Sequence, residues 1–197
     1  MRPTTIPCLF APVLLLACAT SADGSTPDDV VPTVHVETGT VAPAVFNTVG
    51  PISDEGSRSF GSCVGQKAIY GMQCTGRYCD NVYLFCEDVP SFISLNSDVR
   101  WRTSWFSEES SLYTSCATGP GGVQGVITGV ACAGSYCDNM QLECTAIRTG
   151  RINTSYSYTI GFSEEEPAQL WNRPAWALSC SGRYCDKLWV ATADFLP

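Results

Sequence analysis

The sequence contains very little histidine and few basic residues. Its 197 residues include 1 histidine and 11 lysines and arginines against 19 acidic residues, for a formal net charge of −8. Surfaces that bind nucleic acid neutralise phosphates with lysine and arginine, so this composition argues against a nucleic-acid partner. The single histidine, His35, lies in a Pro-, Thr- and Val-rich stretch near the N-terminus. A preorganised catalytic site is hard to build there, and most histidine-dependent catalysis is therefore excluded.

Apolar runs long enough to cross a membrane are also missing from the N-terminal region. The apolar run at residues 9–16 is too short to span a bilayer, which takes about 20 apolar residues. It is placed like the apolar part of a secretory signal, so residues 1–17 are predicted to be a signal peptide. The sequence Leu15-Leu16-Ala17-Cys18 resembles the bacterial lipobox, in which the cysteine is lipidated and becomes the mature N-terminus. We therefore expect Cys18 to carry a lipid anchor, with an ordinary signal peptide as the alternative.

The next segment, residues 18–45, is rich in Ser, Thr, Pro, Asp and Val and shows no sustained helical or strand period. Such a segment buries too little apolar area to offset its ordering entropy, so we expect a disordered tether. The acidic balance of the chain argues against docking on anionic lipid and leaves the lipid anchor as the membrane contact. We expect an exported protein held at the cell envelope as a membrane-anchored lipoprotein, with secretion as the alternative.

One motif, Cys-x-Gly-x-Tyr-Cys-Asp, occurs three times, beginning at Cys74, Cys132 and Cys180. A second, weaker element precedes each copy: Ser53-Asp54-Glu55, Ser107-Glu108-Glu109 and Ser163-Glu164-Glu165. Repetition at an interval of about 50 residues is typical of an architecture built from repeated units. We therefore predict that residues 46–197 form a single β domain of three repeats.

Each motif is followed by residues with alternating apolar positions, such as Val82, Leu84 and Cys86. A period of two is typical of a half-buried strand, and the glycine of the motif suits a tight turn because it accepts a positive φ. No segment shows a sustained helical period, so the predicted class is all-β. Three units of about four short strands each predict a pseudo-threefold β-prism, with a β-trefoil as the alternative.

Of the 12 cysteines, ten remain once Cys8 is removed with the signal peptide and Cys18 is assigned to the anchor. An even number of cysteines in an exported protein indicates disulfides. The third repeat lacks both outer cysteines, which is expected if the two outer cysteines are partners. The predicted bridges are Cys74–Cys79, Cys132–Cys137, Cys180–Cys185, Cys63–Cys86 and Cys116–Cys144. Because histidines are absent from the repeats, a thiolate metal site is the weaker interpretation, and we expect no metal and no cofactor.

The repeated tyrosines and aspartates are the candidate ligand-binding residues: Tyr78, Asp80, Tyr136, Asp138, Tyr184 and Asp186. An exposed tyrosine beside a carboxylate suits a sugar, because the ring can stack on the pyranose and the carboxylate can accept hydroxyl hydrogen bonds. The alternative is structural, since an aspartate just after a tight turn often binds backbone N–H groups. The acidic segments before each motif leave calcium binding open. Glycoside hydrolysis needs one asymmetric pair of acids, so triplication favours binding over catalysis, and we expect no catalytic residues.

The tryptophans all fall outside the first repeat: Trp101, Trp105, Trp171, Trp176 and Trp189. In a small β domain most such residues pack in the core or against a sheet. An aromatic binding face is the alternative interpretation.

The pattern of strands and turns resembles, at a distance, that of the vitelline membrane outer layer protein I family. The resemblance is carried by Gly71-Met72 with Asp80-Asn81-Val82-x-Leu84-x-Cys86, and by Gly129-Val130 with Asp138-Asn139-Met140-x-Leu142-x-Cys144. The third copy matches in part, through Asp186-x-Leu188-x-Val190. The resemblance implies a β-prism of three four-stranded Greek-key sheets over residues 46–197 and a carbohydrate-associated, extracellular role. It supplies no catalytic residues.

Together these observations predict a surface-tethered, non-catalytic binding module, above all for carbohydrate. It would have up to three quasi-equivalent weak sites that gain avidity from multivalency. The alternative is a structural or protein-binding surface lipoprotein whose repeats are only a scaffold. The expected partners are glycans or surface proteins, with membrane contact through the lipid anchor only.

Overall fold

Strands account for nearly all of the regular structure. The computed structural model describes residues 46–54, 59–110 and 113–197. In those ranges the helical segments are short 3-10 turns, at Arg77–Cys79, Pro120–Gly122, Ser135–Cys137 and Arg183–Cys185, and the predicted all-β class is confirmed. None of the helical segments described could cross a membrane, because none is long and apolar enough. The predicted signal peptide (1–17), the lipidation site Cys18 and the tether (18–45) lie outside the described residues.

The strands divide evenly among the three repeats. The first repeat contributes β1 (Asn47–Ile52), β2 (Phe60–Ser62), β3 (Lys67–Thr75) and β4 (Asn81–Asp88). The second contributes β5 (Ser94–Arg102), β6 (Thr114–Ser115), β7 (Gly125–Ala133) and β8 (Asn139–Thr149). The third contributes β9 (Arg151–Ser163), β10 (Gln169–Leu170), β11 (Ala175–Ser181) and β12 (Lys187–Leu196). In each repeat the Cys-x-Gly-x-Tyr-Cys-Asp motif therefore forms the turn of the hairpin between the third and fourth strands.

The strands form three antiparallel sheets of four strands each: sheet 1 in the order β1-β4-β3-β10, sheet 2 in the order β2-β7-β8-β5, and sheet 3 in the order β6-β11-β12-β9. Each sheet is built on the hairpin of one repeat, but its short edge strand comes from another. β2 pairs with β7, β6 with β11, and β10 with β3. This exchange closes a circle, so the repeats cannot separate without losing strand pairing. The choice between a β-prism and a β-trefoil stays a prediction.

The core is formed by the inner faces of the three hairpins. The strands β3, β7 and β11 contact one another. In β4 the residues Val82, Leu84 and Cys86 are buried, whereas Tyr83 and Phe85 between them are half-buried. The same buried positions recur in β8 and β12, at Met140, Leu142, Cys144, Leu188, Val190 and Thr192. The expected period of two is thus confirmed in β4 and β8 as far as Cys86 and Cys144, whereas in β12 it ends at Val190 because Ala191 is buried as well.

The ten cysteines of the repeats pair as predicted. Three bridges close the motif turns, with Cα–Cα distances of 4.8 to 4.9 Å: Cys74–Cys79, Cys132–Cys137 and Cys180–Cys185. The other two have Cα–Cα distances of 5.7 and 5.5 Å: Cys63–Cys86 and Cys116–Cys144. Five disulfides indicate that the protein folds in an oxidising compartment, as expected of an exported chain.

Candidate functional site

The three motif turns share one backbone conformation, which explains why the glycine is invariant. Gly76 has a φ of 77° and a ψ of −177°, a combination open in practice only to glycine. Tyr78 and Cys79 have φ of 59° and 58°, in the left-handed region that other residues seldom occupy. The tyrosine and second cysteine of the other two turns have φ between 55° and 60°. Such residues persist only where the surrounding structure holds them, here the motif disulfide and the neighbouring turns.

The turns bring Tyr78, Tyr136 and Tyr184 together in what we call the tyrosine cluster. Each pair of ring centroids lies 5.3 Å apart, with interplanar angles of 50° to 74°, a favourable tilted or edge arrangement. All three side chains are half-buried. The sequence suggested separate, quasi-equivalent sites at these tyrosines. The structure instead gathers them at one place, where the rings contact one another.

The turns are also linked through their backbones, in cyclic order. The Sγ atom of Cys79 lies 3.3 Å from the carbonyl oxygen of Asp186. The equivalent sulfur–oxygen contacts of the other turns measure 3.3 and 3.4 Å: Cys137 with Asp80 and Cys185 with Asp138. Each motif disulfide therefore touches the aspartate of a neighbouring turn, and the three turns pack as one unit.

The motif aspartates fold back onto their own turns. The Nδ2 atom of Asn81 donates to Oδ1 of Asp80 at 2.5 Å, and Asn139 donates to Asp138 in the same way at 2.7 Å. In all three turns a Cβ atom on the motif glycine would collide with the carboxylate of the aspartate. The carboxylates are thus packed over glycine Cα atoms. These contacts favour a structural role for the aspartates over direct contact with a ligand.

Disulfides close two of the three seams, a seam being the contact between two neighbouring sheets. Cys63 directly follows β2 of sheet 2 and bridges to Cys86 in β4 of sheet 1, which closes the first seam. Cys116 directly follows β6 of sheet 3 and bridges to Cys144 in β8 of sheet 2, which closes the second. Both outer bridges are therefore links between sheets rather than within them.

The third seam, between sheets 3 and 1, has Trp171 and Thr192 at the positions of the two cysteines. Each sheet has a short edge strand next to its hairpin, and one strand of each hairpin has a register shift. The backbone N–H of the residue that follows the edge strand donates to the carbonyl of the residue at that shift. These bonds measure 2.7, 2.8 and 2.9 Å: Cys63 to Thr128, Cys116 to Trp176 and Trp171 to Tyr70. The backbone of the third seam thus repeats that of the other two, and its side chains differ.

A groove of about 740 Å³ opens at the third seam, and we call it the Trp171 groove. Its apolar lining comes from both sheets: Phe46, Tyr70, Leu170 and Trp171 on one side and Tyr158 and Ile160 on the other. Tyr158 and Leu170 are each 52% exposed, whereas Trp171 is only 8% exposed. The groove therefore offers a ligand one aromatic and one aliphatic surface above a buried indole.

A few polar groups accompany this apolar lining: Glu87, Thr159, Asn172, Arg173 and Thr192. The Cζ atom of Arg173 lies 4.0 Å from the ring centroid of Tyr158, and its Nε donates to Asp194 at 2.8 Å. This ion pair holds the guanidinium against the Tyr158 ring. Burial raises the pKa of the Tyr70 hydroxyl, and the charge of Glu87 raises it further. Tyr70 therefore stays neutral beside the Glu87 carboxylate at ordinary pH.

The tryptophans are spread over the domain instead of forming one face. Trp171 lines the groove, and Trp105 is exposed. The Trp189 ring lies 4.6 Å from Nζ of Lys187, and its Nε1 donates to Ser181 at 2.9 Å. The buried indole N–H groups of Trp171 and Trp176 find no acceptor among the described residues. Of the five tryptophans, Trp171 is the one that the groove makes a candidate for binding.

The acidic segments do not build a metal site in the part of the chain that the structure describes. Ser163, Glu164 and Glu165 share a shallow cleft with Asp186 and Lys187. No group of three or more His, Cys, Asp and Glu side chains in the described ranges is placed to hold a metal ion. Glu55 of the first segment lies outside those ranges. Calcium thus has no ready-made site among the described residues.

Most of the groove was not identified from the sequence, which drew attention to the motif tyrosines and aspartates. Tyr70, Glu87, Tyr158, Leu170 and Arg173 carry no shared motif. The signal that could have found them was the loss of both outer cysteines from the third repeat, which leaves one seam unbridged. Comparisons with protein-family models, with curated proteins and with solved structures found no match for this chain.

Proposed function

We propose that this protein is a surface-tethered, non-catalytic carbohydrate-binding module whose ligand occupies the Trp171 groove. The observation that carries the proposal is the apolar groove of about 740 Å³ at the one seam that lacks a disulfide. Ligand sites in proteins are typically concave, mostly apolar and provided with a few polar groups that set orientation. The groove matches that description, whereas the tyrosine cluster is filled by its own rings.

The lining suits a sugar ring in two ways. A pyranose presents a C–H face that packs on an aromatic ring, and the exposed part of Tyr158 beside Leu170 provides such a surface. Its hydroxyl groups need both acceptors and donors. The carboxylate of Glu87 accepts, and the side chains of Asn172 and Thr159 do both. A neutral sugar is favoured over an acidic one, because Glu87 and the net negative charge of the chain would repel a carboxylate.

The lining also supports a binding role over a hydrolytic one. Most glycosidases use two carboxylates, one on each side of the scissile bond. Glu87 is the single acidic side chain among the described residues that line the groove. Asp194 does not line the groove and is held in an ion pair with Arg173. The groove thus lacks the acid and base pair that hydrolysis needs.

The proposed location at the cell surface rests on the sequence and on the disulfides. Five bridges are consistent with an oxidising compartment. The signal peptide of residues 1–17 and a lipid on Cys18 would then place the domain outside the membrane, at the end of the tether of residues 18–45. The distant resemblance to the vitelline membrane outer layer protein I family points to the same carbohydrate-associated role.

A glycan array followed by calorimetry tests the proposal. The purified protein, shown to be folded by mapping its five disulfides, should bind a defined set of glycans. Tyr158→Ala should weaken binding by roughly two- to tenfold, the effect of losing one stacking contact. The matched control is Tyr156→Ala, which removes a 73% exposed tyrosine from the same strand without altering the groove.

Two results would overturn the proposal. Folded protein that binds no glycan at high density on the array would exclude carbohydrate as the ligand. Equal losses in the Tyr158 and Tyr156 variants would exclude the groove as the site. Capture of a specific protein partner that added sugars do not displace would instead support the scaffold alternative.

A further inference from the structure

Two arginines flank the tyrosine cluster. The Cζ atom of Arg77 lies 4.9 Å from the ring centroid of Tyr78, and that of Arg183 lies 4.9 Å from the centroid of Tyr184. The Arg183 Cζ is also 6.0 Å from the Tyr78 centroid, so both guanidinium groups lie near one ring. Each donates from Nη2 to the hydroxyl of the tyrosine that follows it in sequence, at 3.3 Å. Two exposed positive charges are thereby held beside the cluster.

Neither arginine forms an ion pair with a carboxylate of the described residues. The ion pairs of these ranges involve other cations: Lys67–Asp88, Arg100–Glu143 and Arg173–Asp194. The motif aspartates that follow the two arginines, Asp80 and Asp186, fold back over their own glycines. The chain carries only 11 basic residues against 19 acidic ones. The two guanidinium groups have no acidic partner, so they repel each other and together attract an anion.

We propose that Arg77, Arg183 and the tyrosine cluster form a binding site for a tetrahedral oxyanion, such as the sulfate or phosphate ester group of an anionic ligand. A guanidinium presents its N–H donors in a planar fork that matches the oxygens of such a group. The bond from Nη2 to the tyrosine hydroxyl orients each fork and leaves its remaining N–H groups for the ligand. The tyrosine hydroxyls themselves are further donors.

The site is asymmetric because the second repeat has Ser135 at the position of the two arginines. The Tyr78 and Tyr184 rings each have the guanidinium of the preceding arginine beside them. Serine is too short to cover Tyr136 in this way. Both guanidinium groups lie beside the Tyr78 ring, so the anion approaches there, between the two arginines, and the turn with Ser135 adds no third charge. None of these residues lines the Trp171 groove, so this proposal and the carbohydrate proposal stand or fall separately.

Titration of the protein with sodium sulfate, followed by NMR of the arginine Nε–Hε and tyrosine ring signals, tests the site. Sodium chloride at equal ionic strength controls for screening. We expect saturable shifts at Arg77, Arg183 and the tyrosine cluster with sulfate. Arg77→Ala and Arg183→Ala should each weaken binding by about two- to fivefold, as expected of exposed charges, and the double variant should abolish it. Arg148→Ala, which removes an exposed arginine bound to Asn96, is the matched control.

A gain-of-charge variant keeps the test decisive if an alanine variant disturbs the cluster. Ser135→Arg introduces an arginine into the second motif turn as well and should tighten sulfate binding by a similar factor. Repeating the titration with inorganic phosphate, sulfated dextran and unmodified dextran separates the two ester types from the sugar chain. Shifts that never saturate, or that chloride reproduces, would overturn the site. Unchanged affinity in both the double variant and Ser135→Arg would do the same.

Discussion

The first and third seams are built on the same backbone and filled by different side chains. In both, an N–H group after a short edge strand donates to a carbonyl at the register shift of the adjoining hairpin. The first seam then adds the Cys63–Cys86 bridge, whereas the third places Trp171 and Thr192 at those positions. The bridged seam is a covalent joint, and the unbridged seam opens into a groove. A repeated scaffold thus acquires its candidate binding site where the repetition is broken.

The polar groups of the two seams show the same contrast. In the first seam the hydroxyls of Thr128 and Thr145 lie 2.7 Å apart and both residues are buried. Tyr70 and Glu87 hold the corresponding positions of the third seam, and both line the groove. The two buried hydroxyls form a hydrogen bond with each other and so stabilise the fold. A phenol and a carboxylate facing a groove remain available to a ligand.

Removing the bridge from the first seam should produce the largest effect. The Cys63→Ala and Cys86→Ala double variant deletes a disulfide that joins residues 23 apart in sequence. Because the bridge restricts the unfolded chain, its loss should lower the free energy of unfolding by about 2–5 kcal/mol, measured by urea denaturation. Glycan binding in the intact folded state should be retained, since the groove lies at another seam. A loss below about 1 kcal/mol would show that the bridge adds little to the seam.

Adding a bridge to the third seam is the converse experiment. Trp171→Cys with Thr192→Cys would join residues separated by 192 − 171 = 21 positions, close to the 23 of the first seam. Relative to a Trp171→Ser control, which also loses the indole, the bridged variant should gain about 3 kcal/mol of unfolding free energy. Both variants should lose glycan binding. Failure of the bridge to form, detected by mass spectrometry, would show that the two seams are not equivalent.

The repeats made the covalent framework predictable, and they did not reveal how the sheets assemble. The paired loss of two cysteines from the third repeat gave the partners of Cys63 and Cys116. Alternation in β4, β8 and β12 gave the buried faces. The exchange of β2, β6 and β10 between repeats was out of reach, because strands of two or three residues carry no period. The alternation of apolar and polar residues also shows which face of a strand is buried, but it does not show which strand pairs with it.

The candidate site was harder to predict for a related reason. The motif drew attention to Tyr78, Tyr136 and Tyr184 as separate sites, yet their meeting in one cluster depends on the threefold arrangement of the turns. The lack of the two outer cysteines in the third repeat indicates how the cysteines of the other repeats pair. It does not indicate that Trp171 and Thr192, which hold those two positions, line a groove, because that depends on how the sheets meet. The proposed groove therefore lies where one repeat departs from the other two, and not at the invariant positions of the motif.

The smallest expected effect is a loss of unfolding free energy at alkaline pH. It should arise at the third seam and not at the first. Burial, followed by the charge of Glu87, raises the pKa of Tyr70 above the usual tyrosine value of about 10. Below about pH 10 the hydroxyl is protonated in both the folded and the unfolded chain, so it adds no pH dependence. Above that pH the unfolded chain loses the proton first and binds fewer protons than the folded one. The free energy of unfolding should then fall as the pH rises.

Tyr70→Phe should remove this part of the alkaline loss, because phenylalanine has no proton to release. Urea denaturation at a series of pH values from about 8 to 11 measures the slope, which should be shallower above about pH 10 than in the parent protein. Tyr156→Phe, which deletes the hydroxyl of a 73% exposed tyrosine, is the control. The threonine pair of the first seam does not titrate, so Thr128→Val, at the position that corresponds to Tyr70, should lose stability equally at every pH. An unchanged slope in Tyr70→Phe would mean that the Tyr70 hydroxyl is not shielded at the third seam.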